Sequence, residues 1–445
     1  MSKIQNFLAI SACKTLIKVG KLMGKKGSSS PGSIAMKIAP GLLKDLAKQV
    51  KKEIIVVCGT NGKTTTNNLI YSLFTEKGNK VVCNNVGANM LPGVACSFIS
   101  RATVGGKLDA DYAAIECDEA SLRHVVKHIT PHKIVVTNLF RDQMDRYGEV
   151  EDTAKLLEEG ICKVPDTTLV LNADDPYVRN LGLNRKAIYY GVSENTGLNA
   201  DESHENQFCL KCGADLSYSY YHYNQLGFYA CPKCDFKRPN PNYSATRVDI
   251  SDGIKFVMSY KGIQRKFNVN YKGFYNIYNI LASYAVFEDN GGTSEEAQEI
   301  FNAYKPQIGR MESFKIEGKE VVLNLAKNPA GFNQAIATVC ADKRAKSILV
   351  AVNSAPSDGT DVSWLWDVDF ESLKENGVTK LFVSGVRRDD LALRLKYAGF
   401  DKMEITDITQ ESLKGMIASE GDVCYMLVNY TVLFETQTLL KGLEG

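Results

Sequence analysis

The chain has 445 residues, 44% of them apolar and 23% charged, with 53 basic against 51 acidic side chains for a net charge of +2. That length exceeds one ordinary core and suggests about two or three domains of a soluble globular protein. The charge balance gives no case for general nucleic-acid binding, no apolar run approaches the roughly 18 residues of a membrane span, and the short, lysine-broken apolar stretches at the N-terminus do not read as a signal peptide, so a cytoplasmic location is expected.

The charge is unevenly spread. Residues 1–52 carry eleven lysines and one acid, Asp45, so this segment holds about +10 and the remainder about −8. Residues 1–25 place Ile4, Leu8, Ile17 and Leu22 near one helical face, with lysines on the others. A flexible break, KKGSSSPG from Lys25 to Gly32, precedes a second lysine-bearing helical stretch from Ile34 to Val50. Two readings stand: a pair of helices packed on the next domain, or a basic face that meets anionic lipid, peripheral at the inner face of the membrane.

EIIVVCGTNGKTTT, Glu53 to Thr66, predicts a buried parallel strand, a glycine turn and a helix start. Exposed backbone amides and the helix dipole then point at one anion, which makes a phosphate cradle. Thr60, Asn61, Gly62, Lys63, Thr64 and Thr65 are the candidate ATP contacts, with Lys63 reaching the phosphates and Thr64 ligating Mg²⁺. Val57 stands where the common six-spaced loop has its first glycine, so the loop is a shorter one.

Short β-rich runs at Lys80–Cys83, Tyr112–Glu116, Lys133–Thr137 and Thr168–Leu171 alternate with helical segments, the pattern of a doubly wound parallel sheet in an α/β protein. Ligands of such sheets bind at the carboxyl ends of the strands. Glu116, Asp118, Asn138, Asn172 and Asp174 occupy those ends. Between Glu202 and Asn240 the pattern stops. CLKC (Cys209, Cys212) and CPKC (Cys231, Cys234), eighteen residues apart, match a four-thiolate zinc ribbon. A closed thiolate set reads as structural, and the alternative is a tyrosine-rich surface for single-stranded nucleic acid. The other eight cysteines are scattered singly, as reduced thiols are. Strands resume near Thr246–Ile250, Ile254–Tyr260 and Gln264–Val269, followed by a helix from about Gly273 to Asp289. Pro306 to Gly309 reads as a linker. A second α/β unit is expected from Val321–Leu325, with strands near Ser347–Val352, Lys380–Val383 and Cys424–Val428. The expected domains are a basic helical segment at 1–52, a nucleotide-binding domain at 53–309 with the ribbon at about 202–240, and a C-terminal α/β domain at 310–445.

GTNGKTTT resembles the short phosphate loop of the Mur ligases and their folylpolyglutamate synthase relatives, and further segments follow in the family's order. They are Glu116 with Asp118 and Glu119, TNLFRDQMDRYGEV (Thr137–Val150), LNADDP (Leu171–Pro176), GFYNIYNILASYA with Asn276 and Asn279, GRME (Gly309–Glu312), and NLAKNPAGF from Asn324. The resemblance implies a Mur-ligase-like central ATP-binding domain and a C-terminal α/β domain. It also implies that Glu116 holds Mg²⁺, Asn276 contacts adenine, and Asn138 and Arg310 serve ATP. Family histidines are replaced by Gln143 and Lys327, and the separate sugar-nucleotide domain of the peptide ligases is replaced by the lysine-rich segment.

The ribbon and NSAPSDGTDVSWLWDVDF (Asn353–Phe370) resemble the amidating branch of the family, the synthetase subunits of lipid II isoglutaminyl synthase. That resemblance implies ATP-dependent amidation of the α-carboxylate of D-glutamate in the lipid II stem peptide, through an acyl phosphate. No cysteine lies in a G-x-C-x-G elbow beside a histidine, so ammonia is expected from a partner, a GatD-like glutaminase. Asp358 or Asp361 would orient the partner's catalytic histidine, with Asp358 preferred as a residue on an exposed loop; a simple Asx turn or helix cap is the alternative. Two other functions remain open at this point: a ligase that adds an amino acid, and a nucleotide-binding zinc scaffold or nucleic-acid reader without chemistry.

Overall fold

The computed structural model describes the chain except for residues 1–2, 23–28, 85–87, 143–147, 198–207, 252, 305–308, 375 and 445, and the side chain of Lys21. Gln143, Asp201, Glu202, Glu205 and His204, half of the Lys25–Gly32 break and most of the linker before Gly309 lie outside the described residues.

Helices α1 (Lys3–Leu22), α2 (Ser30–Ile38) and α3 (Leu42–Ala47) lead into strand β1 (Val50–Cys58) and helix α4 (Lys63–Glu76). Strand β2 (Val81–Cys83), helix α5 (Leu91–Arg101) and strands β3 (Ala110–Glu116), β4 (Lys133–Val136), β5 (Thr168–Asn172) and β6 (Ala187–Val192) follow. A hairpin of β7 (Ser217–Tyr223) and β8 (Leu226–Ala230) lies between the two cysteine pairs. Strands β9 (Tyr243–Asp249), β10 (Ile254–Tyr260) and β11 (Ile263–Val269) complete a nine-stranded sheet of order β11-β10-β9-β6-β5-β4-β1-β3-β2. It is parallel from β2 through β9, with β10 and β11 added antiparallel.

β1 is buried on both sides, which is why it reads as a continuous apolar run. Its alternate residues serve two cores. Ile54, Val56 and Cys58 pack with α3, α5 and the inner side of α1, while Ile55 and Val57 pack with α4 and the helix Asn276–Asp289. β2 and β3 lie on one side of β1 and β4 on the other, so the strand order switches there and leaves a crevice at its carboxyl end.

A second sheet has the order β12-β13-β17-β14-β15-β16, from β12 (Glu312–Ile316), β13 (Lys319–Leu325), β14 (Lys346–Ala351), β15 (Val378–Ser384), β16 (Glu404–Ile405) and β17 (Val423–Val428). It is parallel apart from β12, which forms a hairpin with β13. The start expected at Val321 missed this edge strand, because the alternation in ESFKI is short and broken by charge.

Two expectations for the N-terminus are corrected. The stretch Ile34–Val50 is not one helix: α2 ends at Ile38, Pro40 and Gly41 intervene, and Val50 already belongs to β1, since the residue before a proline is pushed out of the helical region. Nor do Ile4, Leu8, Ile17 and Leu22 share one face of α1. Ala9, Ile10 and Cys13 are buried, Ile17 is half-buried, and Ile4, Leu8 and Leu22 point to solvent. Small residues win because they allow close approach; a Cβ on Gly32 of α2 would lie 1.9 Å from the Pro92 carbonyl oxygen of α5.

Candidate active site

The loop after β1 turns through two left-handed glycines, Gly59 at φ 117° and Gly62 at φ 84°. A side chain at either would be strained, and at Gly62 a Cβ would fall 2.4 Å from Asn279 Oδ1. The loop is braced by β4's end. Thr60 N donates to the Asn138 carbonyl at 2.8 Å and Asn61 N to Asn138 Oδ1 at 2.8 Å, and Asn138 Nδ2 returns a bond to the Asn61 carbonyl at 3.1 Å. Thr137 Oγ1 adds one to the Asn61 carbonyl at 2.6 Å. Thr60 is buried and exchanges hydrogen bonds with the backbone of Phe140. Asn138 and Thr60 therefore shape the loop with their side chains, whereas Thr64 and Thr65 stand half-exposed on the first turn of α4.

Lys63 is buried under the loop. Its ammonium donates to the Gly59 carbonyl at 2.5 Å, the Thr60 carbonyl at 3.2 Å and Glu119 Oε1 at 2.8 Å. Burial opposes its charge, but the carboxylates of Glu119 and Glu116 outweigh that and raise its pKa. Glu119 Oε1 also accepts from Gly59 N at 3.1 Å, and burial lifts its pKa against the pull of Lys63. Glu119 was not singled out for a role by sequence. Three acids, Glu116, Asp118 and Glu119, lie within four residues at the end of β3, and the turn at Cys117–Asp118 decides which one reaches Lys63.

Glu116 ends β3 opposite Val57 of β1. Its Oε1 accepts from Asn89 Nδ2 at 3.1 Å, and its Oε2 is buried without a hydrogen-bond partner. An orphaned carboxylate oxygen beside a phosphate loop has the donor chemistry a hard divalent cation takes. Asp142 Oδ1 is orphaned in the same way, while its Oδ2 pairs with Lys327.

Asn276 and Asn279 share one face of their helix. Asn279 Nδ2 donates to Asn276 Oδ1 at 2.9 Å, Asn276 Nδ2 donates to the Lys272 carbonyl at 2.7 Å, and Thr66 Oγ1 donates to Asn279 Oδ1 at 3.2 Å. Both polar atoms of Asn276 are thus taken up within the chain, and Asn279 is the one that reaches the phosphate loop. Arg310 lies half-buried, close enough to Tyr275 and Tyr304 for its charge to act on both phenols. From the second sheet, Asn328 pairs with Asn61, and Lys327 with Asp142. The structure thus gathers Gly62, Lys63, Thr64, Thr65, Glu116, Asn138 and Asn328 around one crevice.

The four thiols of Cys209, Cys212, Cys231 and Cys234 lie within 4.8 Å of one another and could hold a metal ion. Each pair sits in a tight knuckle whose backbone amide faces the first sulfur: Lys211 N to Cys209 Sγ and Lys233 N to Cys231 Sγ, both 3.4 Å. The hairpin they close docks on the first sheet through Asp174, a fully buried carboxylate. It accepts from Arg238 Nε at 2.6 Å, Tyr278 Oη at 2.7 Å and Val192 N at 2.8 Å, with His222 Nε2 3.8 Å away. Tyr229 Oη donates to the Ala173 carbonyl at 3.2 Å and Gln225 Nε2 to the Leu139 carbonyl at 2.6 Å. Of its tyrosines, Tyr223 and Tyr229 are buried in this docking, while Tyr218, Tyr220 and Tyr221 are half-buried.

Asp358 corrects an expectation. It is not on an exposed loop but 4% exposed. Its Oδ1 accepts from Thr431 N at 2.8 Å, and its Oδ2 from Thr431 Oγ1 at 2.6 Å and Ala355 N at 3.2 Å. It thereby satisfies the first turn of the helix Tyr430–Leu443, whose free amides attract a carboxylate. Asp361 is half-buried and accepts from Ser363 N and Oγ, both at 2.9 Å, in an Asx turn.

Residues 57–287 match the Mur ligase middle domain and residues 325–433 the MurT ligase C-terminal domain. The chain is 36% identical over 448 residues to the "lipid II isoglutaminyl synthase (glutamine-hydrolyzing) subunit MurT" of Staphylococcus aureus strain COL, with 99% of each chain covered. It is 35% identical to the subunit of the same name from Streptococcus pneumoniae strain ATCC BAA-255 / R6, over 94% of this chain and 93% of that one. Among solved structures, a pseudomurein peptide ligase type C from Methanothermus fervidus superimposes with a TM-score of 0.69 at 22% identity, covering 88% of this chain and 79% of that one. The MurF ligase of Thermotoga maritima in complex with ADP gives 0.66 at 12% identity, covering 93% and 84%. At these identities the two structures show a shared fold.

Proposed function

The chain belongs to the MurT family of Mur-type ligases, and from that premise we propose that it is the synthetase subunit of a lipid II isoglutaminyl synthase. The observation that carries this reading is the likeness to MurT subunits along 99% of the chain. In this reading the γ-phosphate of ATP passes to the α-carboxylate of D-glutamate in the lipid II stem peptide. The bond between the γ-phosphorus and the bridging oxygen breaks, ADP leaves, and an acyl phosphate forms. Ammonia from a GatD-like glutaminase then attacks the acyl carbon, inorganic phosphate departs, and D-isoglutamine results.

The residues divide by task. The backbone of Asn61 to Thr65 and the Lys63 ammonium cradle the phosphates, where fixed donors stabilise developing charge. Glu119 holds Lys63 in place. Glu116 and Thr64 would hold Mg²⁺, which neutralises phosphate charge during transfer. Asn276 and Arg310 line the nucleotide side. The four cysteines would hold Zn²⁺ as a structural staple, since a complete thiolate set leaves no position for water. Residues 53–309 act as the ATP-binding unit and 310–445 as the unit that closes on it and meets the glutaminase. Asp358 serves the partner's histidine. A carboxylate in that role is buried and held by other donors, and Thr431 and Ala355 supply them.

The test is lipid II, ATP and glutamine with and without the glutaminase, read by mass. A loss of about one dalton, amide for acid, is expected only with the glutaminase or with added ammonium. Amidation by the chain alone from glutamine would refute the division of labour. ADP release driven by a free amino acid would point to a peptide ligase instead.

A further inference from the structure

Helix α1 is two-faced in an uncommon way. Ala9, Ile10 and Cys13 seal one side against α2 and α5, while the opposite side presents Ile4, Phe7, Leu8, Leu16, Val19 and Leu22 to solvent. Ile4 is 71% exposed, Phe7 51% and Leu22 87%. Their spacing of three and four residues sets most of them on one stripe, and a helix of 20 residues carries it for roughly 30 Å. Folded proteins do not usually leave so long an apolar stripe open unless something covers it. Lys3 and Lys18 are exposed at its margin, and the helix contains no Asp or Glu. The whole segment to Lys52 has eleven lysines against Asp45.

We infer that this outer face of α1 seats the chain on an anionic phospholipid surface. A large apolar face whose charged neighbours are lysines, with no carboxylate on the helix, is the signature of a helix lying in the plane of a lipid interface. Among the described residues no helix is long and apolar enough to cross a membrane, so α1 lies on the bilayer. Apolar side chains enter the acyl boundary while lysines meet phosphate headgroups. Every charged side chain on α1 is a lysine, so the surface this face complements is an anionic one.

The orientation has a consequence for the ligase reading, on which this part rests. Lys14 Nζ donates to the Ser100 carbonyl near the end of α5 at 3.1 Å, Cys13 lies against Cys96, and Ile10 packs beside Gly106. α1 therefore runs antiparallel to α5, with its C-terminal end toward the start of α5. Asn89, two residues before α5, holds Glu116. α1 is thus linked through α5 and Asn89 to the crevice where Glu116 sits, and on this inference the membrane that seats α1 also presents the lipid-borne acceptor to the same domain.

The experiment uses the full chain co-purified with its glutaminase and vesicles of mixed phosphatidylglycerol and phosphatidylcholine, against phosphatidylcholine alone. Wild type should sediment with the anionic vesicles, and the double variant Phe7→Glu with Leu8→Glu should bind about tenfold more weakly. Both positions are exposed, so circular dichroism should be unchanged. Amidation of a lipid-free acceptor should be unaffected, while turnover of the vesicle-borne acceptor falls in proportion to binding. Equal sedimentation of variant and wild type would overturn the inference. So would loss of the glutaminase from the variant on gel filtration, or a wild-type dimer that the variant dissolves, because the stripe would then be a protein interface. If vesicle binding is lost as expected but wild type amidates neither acceptor, the membrane inference stands and the ligase reading falls.

Discussion

The side-chain amides of Asn61 and Asn328 face each other and exchange hydrogen bonds, each Nδ2 donating to the other's Oδ1 at 3.3 Å. One belongs to the phosphate loop after β1, the other caps the helix Pro329–Ala341 by accepting from Gly331 N at 2.8 Å. With the Lys327–Asp142 ion pair, this joins the second sheet to the loop that would bind ATP.

Asn328→Ala should therefore act twice. Loss of the cap costs about 1 kcal/mol of stability, read as a lowered Tm. Loss of the amide pair frees the loop and should lower kcat/KM for ADP release about tenfold. Unchanged kinetics with a lowered Tm would reduce Asn328 to a cap.

Lys63 and Glu119 form a buried pair whose side chains are 10% and 6% exposed. Lys63→Met should abolish ADP formation by at least a hundredfold and destabilise the chain by about 3–5 kcal/mol, because it strands a buried carboxylate. Adding Glu119→Gln should restore most of the stability but none of the turnover. A double-mutant cycle by denaturant titration separates the two effects.

Asp358→Asn should leave ammonium-driven amidation within about twofold and reduce glutamine-driven amidation by about 10³-fold or more, if it orients the partner's histidine. Asp361→Asn should be near neutral in both assays. If both nitrogen sources fail equally in Asp358→Asn, together with a lower Tm, the residue serves only the helix beginning at Tyr430.

Removing metal should loosen the hairpin and, through it, Asp174. Chelation is expected to release one Zn²⁺ per chain, read by a colorimetric thiolate-competing dye, and to open residues 208–240 to protease, since such inserts depend on their metal to fold. Cys231→Ser should do the same without chelator.

His222 supplies a pH dependence. It is buried against Asp174, and Arg238 and the Val192 carbonyl face it as well; burial lowers its pKa below the ordinary 6.5. In the unfolded chain it takes a proton near that value, so the stability gained by keeping it neutral is complete above about pH 6.5 and declines as the pH falls below it. Tm should drop between about pH 6.5 and 5.5 in wild type, and His222→Gln should flatten that slope.

Much of this molecule was legible from local chemistry. The apolar run at Ile54–Val57, the two glycines after it and Lys63 behind them allow only a strand, a left-handed turn and a helix start. The cysteine pairs announced their knuckles for the same reason, since their geometry spans four residues. Contacts between distant segments were not legible. Which of the three acids Glu116, Asp118 and Glu119 reaches Lys63 depends on how the turn after β3 folds over β1. Asn61 and Asn328 meet only because the second sheet closes on the first. Asp358 looked like a loop residue because glycine and serine surround it; its burial comes from Thr431, on a helix far along the chain. The face of α1 was misjudged for a related reason. Hydrophobic spacing defines a stripe but not what lies against it, and the close packing of Ala9 and Cys13 on α2 and α5 turned the larger side chains outward. Sequence determined the cradle and the thiol set; tertiary packing decided what braces the cradle, what Asp358 holds, and which side of α1 is left open.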